Sequence, residues 1–477
     1  MALIPTAIHQ FCPSCDVGDG ITNGALLTRK ILQSLGFRSE IFSGEVPADL
    51  QDIIRNYRDY RSQPDQVLLV HHSMGTTTWD WVGQQDAVKI LVYHNITPAE
   101  FFPEGSHMRQ FAELGRKQLA DGAARFVGAI GDSAYNSAEL IDCRYAPVVT
   151  IPLLVDLEKN LTAPWDADTV WRHQQTFNLL FVGRIIENKQ QHELIELFSH
   201  FKRMYRLPAK LMLVGGVNSI DYENRLRACI AEHRLHNDVE LPGKVSSEQL
   251  YGYYRAADVF VCLSEHEGFG MPLIEAMCFD TPVVALDTSN VSHTLGASGI
   301  LFTEKRLPEM AACLKLLAEH REFRRRVIRS QRRNLQRFTF ETLRGQLVNF
   351  LSQLDIAVPS PRSNASSPRD SAATAPMQYQ IEGPFDSSYS LALVNRELAL
   401  ALHQAGQTVA LHSTEGPGDF PPDPDFLNAH PDVAALWRNR QNPWPPKTVI
   451  RNLYPPRVND MRGLTRILGI YGWEEST

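Results

Sequence analysis

Short apolar runs separated by amphipathic stretches set the pattern of the first 150 residues. Val67–Val70, Ile90–Tyr93, Phe126–Ile130 and Val148–Ile151 read as buried strands, while Ala25–Leu35 and Met108–Leu119 carry a helical period. Strands alternating with helices predict a parallel sheet covered on both faces. After a Pro-containing crossing at Ile151–Trp165 the alternation restarts. Phe177–Val182, Lys210–Val214, Val259–Leu263 and Pro282–Leu286 are the next strands, with helices near 188–205, 219–235, 246–256 and 271–278. The expected fold is α/β, with two facing Rossmann-like, doubly wound domains at 1–165 and 166–355. Ligands of such sheets bind beyond the carboxyl ends of the strands, so one cleft would lie between the two sets of ends.

Ile356–Pro376 has no such period. Pro, Ser and Ala supply 14 of its 21 residues, too little apolar surface to order itself, so 356–376 reads as a disordered linker. Beyond it the alternation begins a third time: a strand at Met377–Glu382, a turn at Gly383–Ser388, a helix at Leu391–Gln404 and a strand at Val409–His412. Residues 377–477 are therefore expected to form an incomplete third α/β module.

Composition narrows the function classes. The 477 residues carry 47 Lys plus Arg against 54 Asp plus Glu, a net charge of −7, which lacks the basic excess of a dedicated nucleic-acid binder. No run reaches the ~18 apolar residues of a membrane span. Met1–Gln10 has neither a basic start nor a long apolar core, so no secretory leader is expected. Seven cysteines, an odd number, suit a reducing compartment, and the expectation is a cytoplasmic protein. Cys12 and Cys15 have C-x-x-C spacing but no second ligand pair, so they are expected to be two incidental thiols in a loop.

The chemistry concentrates in Glu267-Gly268-Phe269-Gly270-Met271-Pro272-Leu273-Ile274-Glu275, which follows a buried strand and opens a helix, with Pro272 in its first turn. Gly268 and Gly270 let backbone approach a ligand, and free N–H groups at a helix start suit an anion. Two glutamates eight residues apart can face one cleft; the plain alternative is a capped helix with two solvated acids. Arg184, after the strand end at Gly183, offers a bidentate fork, and Lys189 a mobile point charge. Together they could hold an anionic ligand without a metal. Asp166-Ala167-Asp168 has the spacing of metal-dependent transferases but lies in the crossing, so a solvated turn is expected and no metal ligand is assigned. Gly18-Asp19-Gly20 lacks the third glycine and later acid of a dinucleotide fingerprint.

These strings resemble the retaining glycosyltransferases of family 4, which have the GT-B fold. Glu-Gly-Phe-Gly-x-Pro-x-x-Glu is similar to their E-x7-E motif, and Phe181-Val182-Gly183-Arg184 with Lys189 to their strand-end Gly-Arg and following Lys. Leu241-Pro242-Gly243-Lys244 and Ala256-Ala257-Asp258 also fit, as do Gly18-Asp19-Gly20-Ile21 and Tyr93-His94-Asn95-Ile96-Thr97-Pro98. The likeness spans about 1–355 and is nearest to bacterial transferases of O-antigen and related polysaccharides. It implies a donor site of Gly18, Asp19, Gly20, Arg184, Lys189, Gly268, Phe269, Gly270 and Glu275, with Glu275 on the ribose hydroxyls and the Phe269–Gly270 backbone on sugar or phosphate. It also implies catalytic positions at Glu267, against the transferred sugar, and His94, orienting that sugar near the anomeric centre. A satisfied core histidine is the other reading of His94; His71 and His72 are weaker candidates.

The resemblance implies a retaining transfer from a nucleotide diphosphate, with mannose from GDP-mannose the best guess, to a saccharide or lipid-linked saccharide. No cofactor beyond that co-substrate and no nucleic-acid partner is expected. Two alternatives stay open: a GT-B nucleotide-sugar epimerase and a non-catalytic scaffold. Eight arginines between Arg321 and Arg337 form either a solvated helix face or a peripheral contact with anionic lipid at the inner face of the cell membrane. From Tyr379 to Leu391 the chain resembles the opening of a second transferase, and His412–Gly416 and Arg451–Pro456 extend that match. No second clamp or E-x7-E follows, so a truncated tandem enzyme is expected, its last module without transferase activity and with an exposed edge or apolar face.

Overall fold

A computed structural model of the chain describes residues 3–359 except Leu207, and 378–468 except 387–389, 416–417, 420, 442–445, 453–460 and 462–464. The chain forms two compact units, 1–362 and 363–477. The first unit holds two sheets. In one, β1 (Ala7–Ser14), β2 (Ile41–Glu45), β3 (Ile54–Asn56), β4 (Gln66–His72), β5 (Val88–Tyr93), β6 (Gly128–Gly131) and β7 (Val148–Thr150) stand in the order 3-2-1-4-5-6-7. In the other, β8 (Phe177–Val182), β9 (Ala209–Val214), β10 (Val239–Gly243), β11 (Val259–Cys262), β12 (Val283–Leu286) and β13 (Ile300–Phe302) follow the order 10-9-8-11-12-13. All neighbours are parallel.

Strand order reverses between β1 and β4, and again between β8 and β11. Loops leaving those four strands diverge, which opens a crevice at each switch point. β4 and β11 are enclosed along their whole length, as the apolar runs require. β1 lacks a continuous apolar run because His9 and Gln10 interrupt it, although both are buried. Cys12 lies in this strand rather than in a loop, and it packs with Cys15, Ala25, Ile41 and Ile54. The thiols are core residues.

One boundary needs correction. The helix Phe340–Gln353, which the sequence places in the second domain, sends Leu343, Leu347, Phe350 and Leu351 into the same core as Ile8, Ile31, Val67 and Ile90. Ile356, the expected first residue of the linker, is buried and bridges to Leu3. The chain thus returns to finish the core of the first sheet. The expected linker beyond Pro359 lies outside the described residues.

The second unit has a parallel sheet ordered Val409–His412, Tyr379–Glu382, Thr448–Arg451, Thr465–Leu468, with the helix Ser390–Gln404 beside it. Ile381, Phe385, Ala399, Leu411, Val433 and Leu436 make its core, and Arg451 Nη2 meets the enclosed Glu382 carboxylate at 2.6 Å. The turn expected at Gly383–Ser388 and the string Tyr454–Pro456 fall partly or wholly outside the described residues.

Close backbone approach at the second switch point depends on one glycine. Gly215 follows β9 at φ +155°, and a Cβ there would lie 1.9 Å from the Gly183 carbonyl oxygen. Since that oxygen is backbone and cannot yield, Gly215→Ala is expected to destabilise by roughly 3 kcal/mol. Scanning calorimetry checks this; an unchanged Tm would contradict it.

Candidate active site

The second switch point carries the acidic and basic residues. After β8 the chain turns through Gly183 and Arg184, then through the short 3-10 turn Glu187–Lys189, and left-handed Gln190 (φ 55°) leads into the helix Gln191–Met204. Asn188, buried in that turn, accepts the backbone N–H of Glu265 at 2.9 Å, which ties it to the loop after β11. Lys189 Nζ thereby reaches Glu267 Oε1 at 2.6 Å and the His266 carbonyl at 3.4 Å. The sequence placed these two side chains in one cleft, but not as partners. Arg184 is exposed and, among the described residues, forms no ion pair. It lines a cavity of about 440 Å³ with Phe101, Phe102, Asn188 and Asp221.

Glu267 is held by its backbone: its N–H donates to Ser289 Oγ at 2.8 Å, and that hydroxyl donates back to the Glu267 carbonyl at 2.9 Å. Gly270 is left-handed (φ 79°) just before the helix Met271–Cys278. The Phe269 ring belongs to the core and its carbonyl accepts from Thr294 Oγ1 at 2.5 Å. Glu275, one turn into the helix, accepts from Tyr254 OH at 2.6 Å, and desolvation raises its carboxyl pKa. A carboxylate positioned by a phenol is suited to receive hydroxyl donors on its other oxygen.

The first switch point faces this loop. Gly18 is left-handed (φ 81°), and Asp19 caps the helix Gly20–Ser34 by accepting from the backbone of Thr22 at 3.0 Å. Its carboxylate is thus engaged with a helix N-terminus, which leaves backbone as its contribution to a ligand. A Cβ on Gly20 would meet Met271 Sδ at 2.5 Å, and one on Gly268 would lie 3.2 Å from the His94 carbonyl oxygen and from Asn95 Cβ. His266 Nε2 also donates to Asn95 Oδ1 at 2.8 Å. Asn95 is left-handed (φ 70°) and its amide donates to Asn136 Oδ1 at 3.0 Å. The two domains therefore touch beside the Glu267 loop.

His94 differs from the expectation. Its side chain is only 2% exposed, with Nδ1 2.6 Å from Asp132 Oδ2 and Nε2 2.7 Å from His71 Nδ1. Both ring nitrogens are engaged inside the first domain, so the carbonyl of His94, not its ring, meets the opposing loop. His72 is also internal, bonded to the Gly115 carbonyl at 3.1 Å. Asp166 is not in a loose turn: it caps the helix Ala167–His173 by accepting from Thr169. Among the described residues no cluster of three or more His, Cys, Asp or Glu is arranged to hold a metal. The arginine-rich segment is the helix Arg321–Leu335; Arg324 pairs with Asp258 and Arg332 with Asp280, while Arg321, Arg326, Arg329 and Arg333 are exposed.

Tyr254, Asp132, His266 and Ser289 were not found from the sequence, and Asn95 was named only within the string Tyr93–Pro98, with no role. His266 adjoins the motif and Asp132 follows a strand end, signals too common to single out either residue. Tyr254 sits 21 residues before Glu275, and only the fold brings the two together.

Two Rossmann-like sheets, their switch points facing one another, and a late helix returning to the first sheet define the GT-B fold. Residues 168–334 match the family described as Glycosyl transferases group 1, which covers most of the second domain and all of the Glu267–Glu275 motif. Solved structures agree on the fold. HepE of Anabaena, in complex with UDP and glucose, superposes with a TM-score of 0.56 at 18% identity over 73% of this chain and 100% of its own. Sucrose-phosphate synthase of Thermosynechococcus elongatus gives 0.57 at 19% identity over 73% and 99%. Among sequence relatives, a D-inositol 3-phosphate glycosyltransferase of Pseudarthrobacter chlorophenolicus is 29% identical over 40% of this chain and 46% of its own. A GDP-mannose:cellobiosyl-diphosphopolyprenol alpha-mannosyltransferase of Xanthomonas campestris is 31% identical over 29% and 37%. The chain spans less than half the length of these relatives. No helix among the described residues is long and apolar enough to cross a membrane.

Proposed function

We propose that this protein is a metal-independent, retaining glycosyltransferase that moves a sugar from a nucleotide diphosphate to a growing saccharide. The observation that carries the reading is the Lys189–Glu267 pair, which joins the loops after β8 and β11 at the switch point. Arg184 and Lys189 neutralise the departing diphosphate, Glu275 binds the ribose, and Glu267 faces the transferred sugar. Because no separate carboxylate nucleophile is assigned, the incoming hydroxyl attacks from the face the diphosphate leaves and passes its proton to the departing phosphate oxygen. Mannose from GDP-mannose is the donor favoured by the alpha-mannosyltransferase relative. A lipid-linked saccharide acceptor and peripheral contact with anionic lipid through the exposed arginines of Arg321–Leu335 complete the proposal, in the cytoplasm at the membrane's inner face.

A thermal-shift screen of GDP- and UDP-sugars tests the reading, since a ligand at 100 times its Kd adds about 2.7 kcal/mol of stability. No stabilisation by any of them would overturn it. Transfer is expected to survive excess EDTA, because the clamp is cationic; activity lost to the chelator and restored by manganese or magnesium would contradict the metal-free mechanism. A chain ending in the linker is expected to match the full chain in specific activity, because the donor clamp lies wholly in 1–362. Loss of transfer in that shorter chain, with its fold intact, would assign 378–468 a part in the reaction.

A further inference from the structure

A line of four side chains crosses the first sheet, from Gln10 in the middle of β1 to His71 near the end of β4 and to His94 and Asp132 just past the ends of β5 and β6. Gln10 Oε1 is 3.1 Å from His71 Nε2, His71 Nδ1 is 2.7 Å from His94 Nε2, and His94 Nδ1 is 2.6 Å from Asp132 Oδ2. The two imidazole planes lie 8° apart with centroids at 5.0 Å, so the bond runs edge to edge in the plane of both rings.

Donor and acceptor chemistry fixes most of the protons. Gln10 Nε2 donates to the Ala25 carbonyl at 3.0 Å, so Oε1 faces His71 and can only accept. His71 Nε2 therefore carries hydrogen. Burial and the neighbouring His94 push the pKa of His71 well below its ordinary value, which keeps it neutral with Nδ1 bare. That bare nitrogen must accept, and so His94 Nε2 is also protonated. The last proton lies between His94 Nδ1 and the Asp132 carboxyl, whose own pKa is raised by burial and drawn back by His94. The 2.6 Å contact between these enclosed groups is shorter than the ~2.9–3.0 Å of a neutral N–H···O bond, in the direction that ionised partners shift it. The other titratable group packed here, His72, is bonded to Gly115 and kept neutral, its pKa pushed down to about 4 by burial.

We infer that His94 is held as an imidazolium between Asp132 and His71, and that His71 is a positioning residue for the donor loop. The clamped ring fixes the end of β5, where the His94 carbonyl and left-handed Asn95 meet Gly268 and His266. Those contacts seat Glu267 one residue away. The ligand half of this inference rests on the glycosyltransferase reading; the protonation state stands without it.

The test is multiple-bond 1H–15N NMR of the full chain labelled at histidine, near neutral pH, with His94→Gln to assign the signal. Both ring nitrogens of His94 are expected to be protonated in the wild type, and only one in His71→Phe, which removes the acceptor. A bare Nδ1 on wild-type His94 overturns the inference whatever the His71 variants show. Thermal-shift titration with GDP and UDP is the second measurement. Affinity is expected to fall roughly tenfold in His71→Phe, the scale of one lost charge-assisted bond. Most of that loss should be recovered in His71→Asn, whose amide oxygen can accept. Equal affinity in folded His71→Phe and wild type overturns the positioning role. A wild type that binds neither nucleotide overturns the glycosyltransferase reading and the ligand half with it, while the NMR still decides the protonation.

Discussion

Replacing Lys189 with Ala is expected to lower turnover by about 10²–10³-fold, the scale of removing one group that stabilises developing negative charge. Arg184→Ala is the cleaner companion, because its exposed guanidinium has no ion pair among the described residues and its loss should leave Tm within a degree or two. In Lys189→Ala the Glu267 carboxylate, 13% exposed, loses its charge partner, so some stability goes as well. In the double variant with Glu267→Gln the lost stability should partly return, because the uncompensated charge is gone. Steady-state rates beside melting curves decide the matter. Full activity in a folded Arg184→Ala or Lys189→Ala enzyme would remove the clamp from the mechanism.

Legibility in the sequence followed chemistry that is local in the chain. Phe177–Val182 and Met271–Cys278 were placed to the residue, because a buried parallel strand is a continuous apolar run and Pro272 marks a helix start. Arg184, Lys189, Glu267 and Glu275 could be proposed as site residues for the same reason: each belongs to a short string with fixed spacing. What stayed hidden depends on residues far apart. His94 reads as a strand-end histidine facing a cleft, yet its ring is claimed by His71 and Asp132, 23 and 38 residues away. β1 was hidden because Gln10 and His9, polar residues in its middle, are buried to serve hydrogen bonds that only the folded sheet reveals. Phe340–Gln353 has the amphipathic pattern of any surface helix, and nothing in that pattern says whose core it covers.

A second large effect concerns acid. His9, His72 and His266 are buried, and desolvation leads the causes that push each pKa from 6.5 down to about 4. Each is neutral in the fold, so between pH 4 and 6.5 the unfolded chain binds more protons, and stability must rise with pH across that window. The contribution is complete above pH 6.5 and is lost as pH falls toward 4, about 3 kcal/mol for each histidine. Three such losses rival the whole stability of an ordinary domain. Glu275, with its raised carboxyl pKa, acts in the opposite sense within the carboxylate range. Calorimetry from pH 7.5 to 4.5 is expected to show a steep fall in Tm, made shallower by His72→Gln, whose amide can still donate to the Gly115 carbonyl. A flat Tm over that range would show that these histidines are not held neutral by the fold.

The return of Phe340–Gln353 to the first sheet has a consequence for how the protein is made. The strands of that sheet are complete once Thr150 has left the ribosome, but Leu343, Leu347, Phe350 and Leu351 are not yet synthesised. At ~5–20 residues per second the roughly 190 intervening residues take about 10–40 s, during which Ile8, Ile31, Val67 and Ile90 lack part of their cover. The apolar face of the nascent first domain therefore stays incompletely covered until the second domain has emerged behind it.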